Sequence, residues 1–94
     1  MHTFIVTMQE VVEHLKKKIG IIKTVALFKE AVKKTNLEIK ITDNGVITAE
    51  ESMNNEENYL KLFKMLREGT KKLIGAKKTR ELFKNASKQV IKLF

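Results

Sequence analysis

A stretch of fifteen residues occurs twice in this chain, and this repeat restricts the fold more than any other feature of the sequence. Residues 19–33 read IGIIKTVALFKEAVK and residues 74–88 read IGAKKTRELFKNASK, at a constant offset of 55 without a gap. Nine of the fifteen positions are identical. Internal repetition of this kind indicates a fold built from copies of one unit. We therefore expect an internal duplication.

The duplicated unit is longer than these fifteen residues. Residues 4–19 place apolar side chains three and four positions apart, which predicts a helix with one apolar face. Phe4 matches Tyr59 in type at the same offset. Gly20 and Gly75 each either end a helix in a left-handed cap or lie where two helices cross closely. We expect two helix–Gly–helix units, packed about a pseudo-two-fold axis into a four-helix arrangement.

The segment between the two units has a different pattern. Leu37, Ile39 and Ile41 alternate with polar residues, and the sequence Asp43-Asn44-Gly45 is typical of a tight turn. This pattern predicts a short β-hairpin over residues 37–49. Because an isolated hairpin is marginally stable in water, it must pack on the helices or pair with another chain.

The remaining boundaries follow from these elements. Thr48 and Glu51 have the spacing of a capping box, which predicts a helix start with Thr48 as its N-cap. The chain of 94 residues is then a single, mainly α domain. Repeat one covers residues 4–35, the hairpin connector covers residues 37–49, and repeat two covers residues 59–94.

Composition excludes several classes of protein. The chain has no cysteine, so disulfides and thiolate metal sites are excluded. No apolar run approaches the roughly 18 residues that a transmembrane helix needs, so we expect no contact with a membrane and a cytoplasmic location. No motif for a metal or any other cofactor is present, and no nucleophile is paired with a base, so we expect no enzyme.

The net charge of +8 is distributed unevenly along the chain. Residues 1–37 carry +4, residues 38–57 carry −5, and residues 58–94 carry +9. Of the nineteen basic residues only Arg67 and Arg80 are arginines. Two interpretations of this charge stay open: a solvated surface, and a surface that binds an acidic partner or nucleic acid.

The two copies differ most on one face of their second helix. Ile22, Val25 and Val32 in the first copy correspond to Lys77, Arg80 and Ser87 in the second. A helix that is apolar nearly all round is buried on more than one side. The extra face of the first-copy helix is therefore covered either by the β-hairpin or by another subunit. The interface candidates are Ile22, Val25, Val32, Ile39 and Ile41.

Two further sets of residues are candidates for binding. If Gly20 and Gly75 each open a helix, free backbone N–H groups together with a lysine in the first turn would form an anion site. The anion-site candidates are Gly20, Lys23, Gly75 and Lys78. A second, larger set of basic residues could attract phosphates without base specificity. The nucleic-acid candidates are Lys71, Lys72, Lys77, Lys78, Arg80, Lys84 and Lys88.

The order of these motifs resembles that of small helical modules in archaeal signalling proteins and proteins of unassigned function. The resemblance rests on the Gly20 helical hairpin, the Asn44-Gly45 hairpin, and a second helical hairpin with Leu73-Ile74-Gly75 and Leu82-Phe83. These motifs span most of the chain, and the resemblance implies a helical module without assigning a role to any residue.

Two hypotheses of function follow from the sequence. The first is a non-enzymatic protein-interaction or regulatory module that binds another protein or a second copy of itself as a homodimer. It rests on the extra apolar face of the helix that contains Ile22. The alternative is a basic nucleic-acid-binding protein of the chromatin type, which uses the lysine-rich C-terminal helix.

Overall fold

The computed structural model describes residues 2–35, 37–49 and 56–93. The first helical pair comprises α1 (His2–Ile19) and α2 (Ile21–Lys33), and the second comprises α3 (Glu56–Ile74) and α4 (Ala76–Leu93). Strands β1 (Ile39–Ile41) and β2 (Ile47–Ala49) lie between the two pairs. The prediction of a mainly α fold with two helix–Gly–helix units and a short β-hairpin is confirmed.

Gly20 forms a sharp corner between α1 and α2. Its N–H donates to the Lys16 carbonyl at 3.0 Å, while its own carbonyl accepts the Thr24 N–H at 3.2 Å. The same two bonds recur at Gly75, at 2.9 and 3.1 Å. Both glycines have a φ near +85° to +89°, and a Cβ on either would meet no atom within 4 Å. Of the two sequence-based alternatives, the structure therefore has the helix end and not the close crossing.

The four helices form a ring in which each helix packs on two others. Helix α1 packs on α2 and α4, and α3 likewise packs on α2 and α4. Exchanging α1 with α3 and α2 with α4 leaves this pattern unchanged, as a pseudo-two-fold axis requires. Phe4 and Tyr59 occupy equivalent positions and contact each other, so they lie close to that axis.

The β-hairpin covers one side of the first helical pair. Its strands are antiparallel, with Ile41 opposite Ile47, and β1 packs on α2 while β2 packs on α1. Thr48 lies in β2 opposite Lys40, so its predicted role as a helix N-cap is wrong. Ala49, which would be the first helical residue after this cap, is instead paired with Ile39 in β2, and the predicted partner Glu51 lies outside the described residues.

The core runs through the centre of the ring and under the hairpin. The largest side chains that are fully enclosed are Tyr59, Phe4, Phe28, Phe83, Met8, Leu15, Leu62 and Leu66. Every helix contributes to this set, and Leu37, Ile39, Ile41 and Ile47 extend the core beneath the hairpin. No helix within the described ranges is both long and apolar enough to cross a membrane.

Candidate functional site

The interface candidates from the sequence do not share one environment. Val25 is 7% exposed, and the side chains of Ile39 and Ile41 in β1 are buried where the hairpin packs on the helices. Val32 is half-buried, and it lines the same crevice as Ile39 and Ile41. The hairpin thus covers one flank of α2, as the first of our two alternatives expected. Ile22 alone of these candidates is open to a partner, at 83% exposure.

The anion-site candidates lie at the two glycine corners. Helices α2 and α4 begin directly after Gly20 and Gly75, so Lys23 and Lys78 do fall in first turns and are exposed. The glycine N–H groups are already bonded to the preceding helices, however. These two N–H groups are therefore not free to donate to an anion, and the anion site stays a prediction that only the next amides of each helix could satisfy.

Two grooves occupy equivalent positions in the two halves of the ring but differ in polarity. One lies between α1 and α4 and the other between α2 and α3, and nine positions line both grooves at the offset of 55. Among the pairs are Glu10/Met65, His14/Gly69, Lys18/Leu73 and Glu81/Ala26. The α1–α4 groove is therefore the more polar of the two, and we call it the polar groove and the α2–α3 groove the apolar groove.

Gly69 explains part of the difference between the two grooves. A Cβ at this position would collide with the side chain of Leu27, so the glycine lets that side chain of α2 lie directly on the α3 backbone. Ala26 in the apolar groove is also smaller than Glu81, its counterpart in the polar groove. The groove volumes reflect this difference in side-chain size, since the polar groove measures about 350 Å³ and the apolar groove about 610 Å³.

The polar groove lacks the arrangement that a metal centre needs. His14 and Glu10 both line it, together with lysines from α1 and α4. Within the described residues, no three His, Cys, Asp or Glu side chains are grouped so that they could hold a metal ion.

The second helical pair carries eleven of the nineteen basic residues of the chain. All seven nucleic-acid candidates are exposed, and so are Lys61, Lys64, Arg67 and Lys92. Of the described side chains, the one ion pair joins Lys16 to Glu13 at 3.4 Å, in the first half. None of the eleven cations after residue 57 is therefore paired with a described carboxylate.

Four of these eleven basic residues, Lys61, Lys64, Arg67 and Lys92, are not among the sequence candidates, and the sequence also did not reveal one contact in the first half. Lys64 and Arg67 share a groove with Leu60, Phe63 and Glu57 at the start of α3. The contact in the first half is made by Gln9, which is equivalent to Lys64. The side-chain amide of Gln9 hydrogen-bonds to the backbone of Gly45 and Ile47 in the hairpin. Comparing the two copies before residue 19 would have shown that Gln9 and Val12 become Lys64 and Arg67.

Comparison with known proteins identifies no relative of this chain. The chain matches no protein-family model and no curated protein, and its fold matches no solved structure. The resemblance to archaeal signalling modules therefore stays an expectation.

Proposed function

We propose that this domain is a non-enzymatic binding module whose basic second half holds nucleic acid through its phosphates. The observation that carries the proposal is the set of eleven exposed cations on α3 and α4, none of which is paired with a described carboxylate. Nearby like charges oppose folding, and a polyanion would relieve that repulsion. Phosphate contacts of this kind give affinity without sequence specificity.

The internal duplication strengthens the proposal because it supplies a comparison within one chain. Positions that are neutral in the first half are basic in the second, as when Ile22, Val12 and Val25 correspond to Lys77, Arg67 and Arg80. Both halves use the same backbone architecture. The charge is therefore not a requirement of the helical fold, which supports a role for it in binding.

A salt titration tests this function. Fluorescence anisotropy of a labelled duplex of mixed sequence would be measured at about 50 mM and about 200 mM salt. With six or more phosphate contacts, affinity should fall by about a thousandfold or more over this range. Absence of binding at the lower salt concentration would rule the proposal out.

The duplication also offers a charge-matched control. The double variant Lys84→Glu with Lys88→Glu reverses two exposed cations on α4, and Lys29→Glu with Lys33→Glu reverses the equivalent pair on α2. Both variants lower the net charge by four. The α4 variant should lose binding, whereas the α2 variant should keep most of it. Equal losses would mean that net charge alone, and not the second half, attracts the nucleic acid.

Self-association is a second candidate function, supported by a different observation. Ile22 is 83% exposed and Leu73 is 49% exposed, and the apolar groove between α2 and α3 contains Leu73. Leu73 and this groove form an apolar surface of the kind that protein-binding sites use, and Ile22 is a further exposed apolar residue of α2 outside the groove lining.

Light scattering tests the second candidate. The wild type should elute as a dimer at high micromolar concentration, and Ile22→Lys, which introduces the residue found at position 77, should make it a monomer. Ile91→Lys, at another exposed apolar position on α4, serves as the control and should leave the mass unchanged. A monomeric wild type would exclude the homodimer.

A further inference from the structure

The turn of the hairpin packs on four residues of the first helical pair, Gln9, Val12, Lys16 and Ile21, which we call the seat. A Cβ on Gly45 would lie 3.1 Å from Ile21 Cδ1, 3.2 Å from Lys16 Cδ and 3.4 Å from Val12 Cγ1, so these three side chains converge on it. Gln9 completes the seat. Its Nε2 donates to the Gly45 carbonyl at 2.7 Å, and its Oε1 accepts the Ile47 N–H at 2.9 Å.

The second helical pair has the equivalent backbone surface, and neither described strand packs on it. The offset of 55 converts the four seat residues into Lys64, Arg67, Lys71 and Ala76, and all four are exposed. Val12, which is fully buried, corresponds to the exposed Arg67. No described residue therefore covers this second seat.

Arg80 extends the second seat onto α4. Its counterpart Val25 is buried on α2, on the flank that β1 covers, with Val32 two turns further along the same face. Arg80 likewise lies seven positions before Ser87 on one face of α4, and it is exposed. Both arginines of the chain thus stand where the first half has valines in the hairpin-covered core.

Loss of the cover alone does not account for this chemistry. An uncovered position needs only a polar side chain, and serine or glutamine would satisfy it. Instead, Lys64, Arg67 and Lys71 are three and four positions apart on one helix face, where like charges repel each other. Glu57 shares a groove with Lys64 and Arg67, but none of the three basic residues lies within ion-pair distance of a described acid. The cluster is therefore best explained by an anionic ligand.

The kind of nucleic acid follows from what the surface lacks. Proteins that bind single strands stack bases on exposed aromatic rings. All five aromatic side chains in the described ranges, at positions 4, 28, 59, 63 and 83, are buried. A cationic surface without a stacking platform fits the phosphate backbone of a duplex.

We infer that the uncovered second seat, made of Lys64, Arg67, Lys71 and Arg80, is the centre of the nucleic-acid site and holds the phosphates of double-stranded nucleic acid. This inference rests on the proposed function and narrows it to one face. The equivalent surface of the first half binds the β-hairpin. The duplication therefore produced this surface twice, and the β-hairpin covers the first copy only.

The test compares two neutralising variants that each remove two charges from the second half. Arg67→Gln with Arg80→Gln changes the seat, and Lys84→Gln with Lys88→Gln changes the outer face of α4. The seat variant should weaken duplex binding at least about tenfold more than the α4 variant. It should also lower the slope of log K against log salt by about two, since each lost phosphate contact contributes about 0.9.

Two further measurements make the outcome decisive. Arg67→Lys with Arg80→Lys restores the charge and should bind within about threefold of wild type, and a labelled single strand should bind more weakly than the duplex. Equal losses in the two Gln variants, with wild-type binding intact, would overturn the seat but leave the proposed function standing. Loss of self-association instead of duplex binding would assign the seat to an acidic segment of a second copy and also overturn the inference.

Discussion

The rings of Phe4 and Tyr59 lie with their centroids 4.4 Å apart and their planes inclined at 55°. The two residues are 55 positions apart and are equivalent in the duplication, so each contacts its own counterpart. A residue can do this only near the axis that relates the two copies. The pair therefore marks the point where the two helical hairpins join.

Removing either ring should destabilise the whole domain. Both side chains are fully buried, and Phe4→Ala or Tyr59→Ala should lower the free energy of unfolding by about 3–5 kcal/mol. Urea denaturation followed by circular dichroism measures this. Ile91→Ala is the control and should change stability by less than about 0.5 kcal/mol, because Ile91 is exposed. Variants at position 4 or 59 as stable as this control would contradict the axial packing.

The two glycine corners should respond to substitution in the same way. Gly20 has φ 85° and ψ 164°, a region that is nearly restricted to glycine. Gly20→Ala and Gly75→Ala should each destabilise the fold by about 1–3 kcal/mol through backbone strain, since neither Cβ would meet an obstacle. Thermal unfolding of both variants beside Lys23→Ala, an exposed neighbour, tests this. Unchanged melting temperatures would show that the corners tolerate a side chain.

Gln9 should matter in a way that its counterpart Lys64 does not. Gln9→Ala removes two hydrogen bonds to the hairpin, so the Ile47 amide should exchange its hydrogen faster and stability should fall by about 1–3 kcal/mol. Lys64→Ala changes the equivalent position on α3, where no hairpin lies, and should leave both properties unaltered. Hydrogen exchange measured by NMR distinguishes the two variants. An Ile47 amide that is equally protected in Gln9→Ala would refute the role of this side chain.

A threonine hydroxyl supports each glycine corner. Thr24 Oγ1 donates to the Gly20 carbonyl and Thr79 Oγ1 to the Gly75 carbonyl, both at 2.7 Å, and both threonines are buried. Thr24→Val and Thr79→Val keep the shape but remove the donor, so each should cost about 0.5–1.5 kcal/mol. Urea denaturation should give similar values for the two sites. A large loss at one site and none at the other would contradict their equivalence.

Much of the architecture could be predicted because both copies of the repeat carry the same helix–Gly–helix pattern. Helix ends at Gly20 and Gly75 and the turn at Asn44-Gly45 depend on local backbone chemistry, which sequence patterns report well. Thr48 could not be assigned in this way, because pairing with Lys40 across the hairpin overrode its capping potential. Local pattern alone does not contain such tertiary choices.

The candidate site was only partly predictable for the same reason. The basic character of α4 is visible in the sequence, but the side on which the hairpin lies is decided by packing of Gly45 among Val12, Lys16 and Ile21. Without that contact, Val25 could be read equally well as an interface residue or as core. The importance of Arg67 follows only after the covered and uncovered copies are compared.

The ring also sets the order in which a nascent chain can become stable. The hairpin and its seat are complete once residue 49 has been synthesised, but α1 packs on α4, which spans residues 76–93. At about 5–20 residues per second, the ribosome needs roughly two to nine seconds to add the remaining helices. During that interval Val11, which lines the α1–α4 groove, has no α4 to pack against. Translation speed and chaperone binding therefore affect an intermediate in which the helical ring is incomplete. The sequence must keep that intermediate soluble and must also stabilise the complete domain.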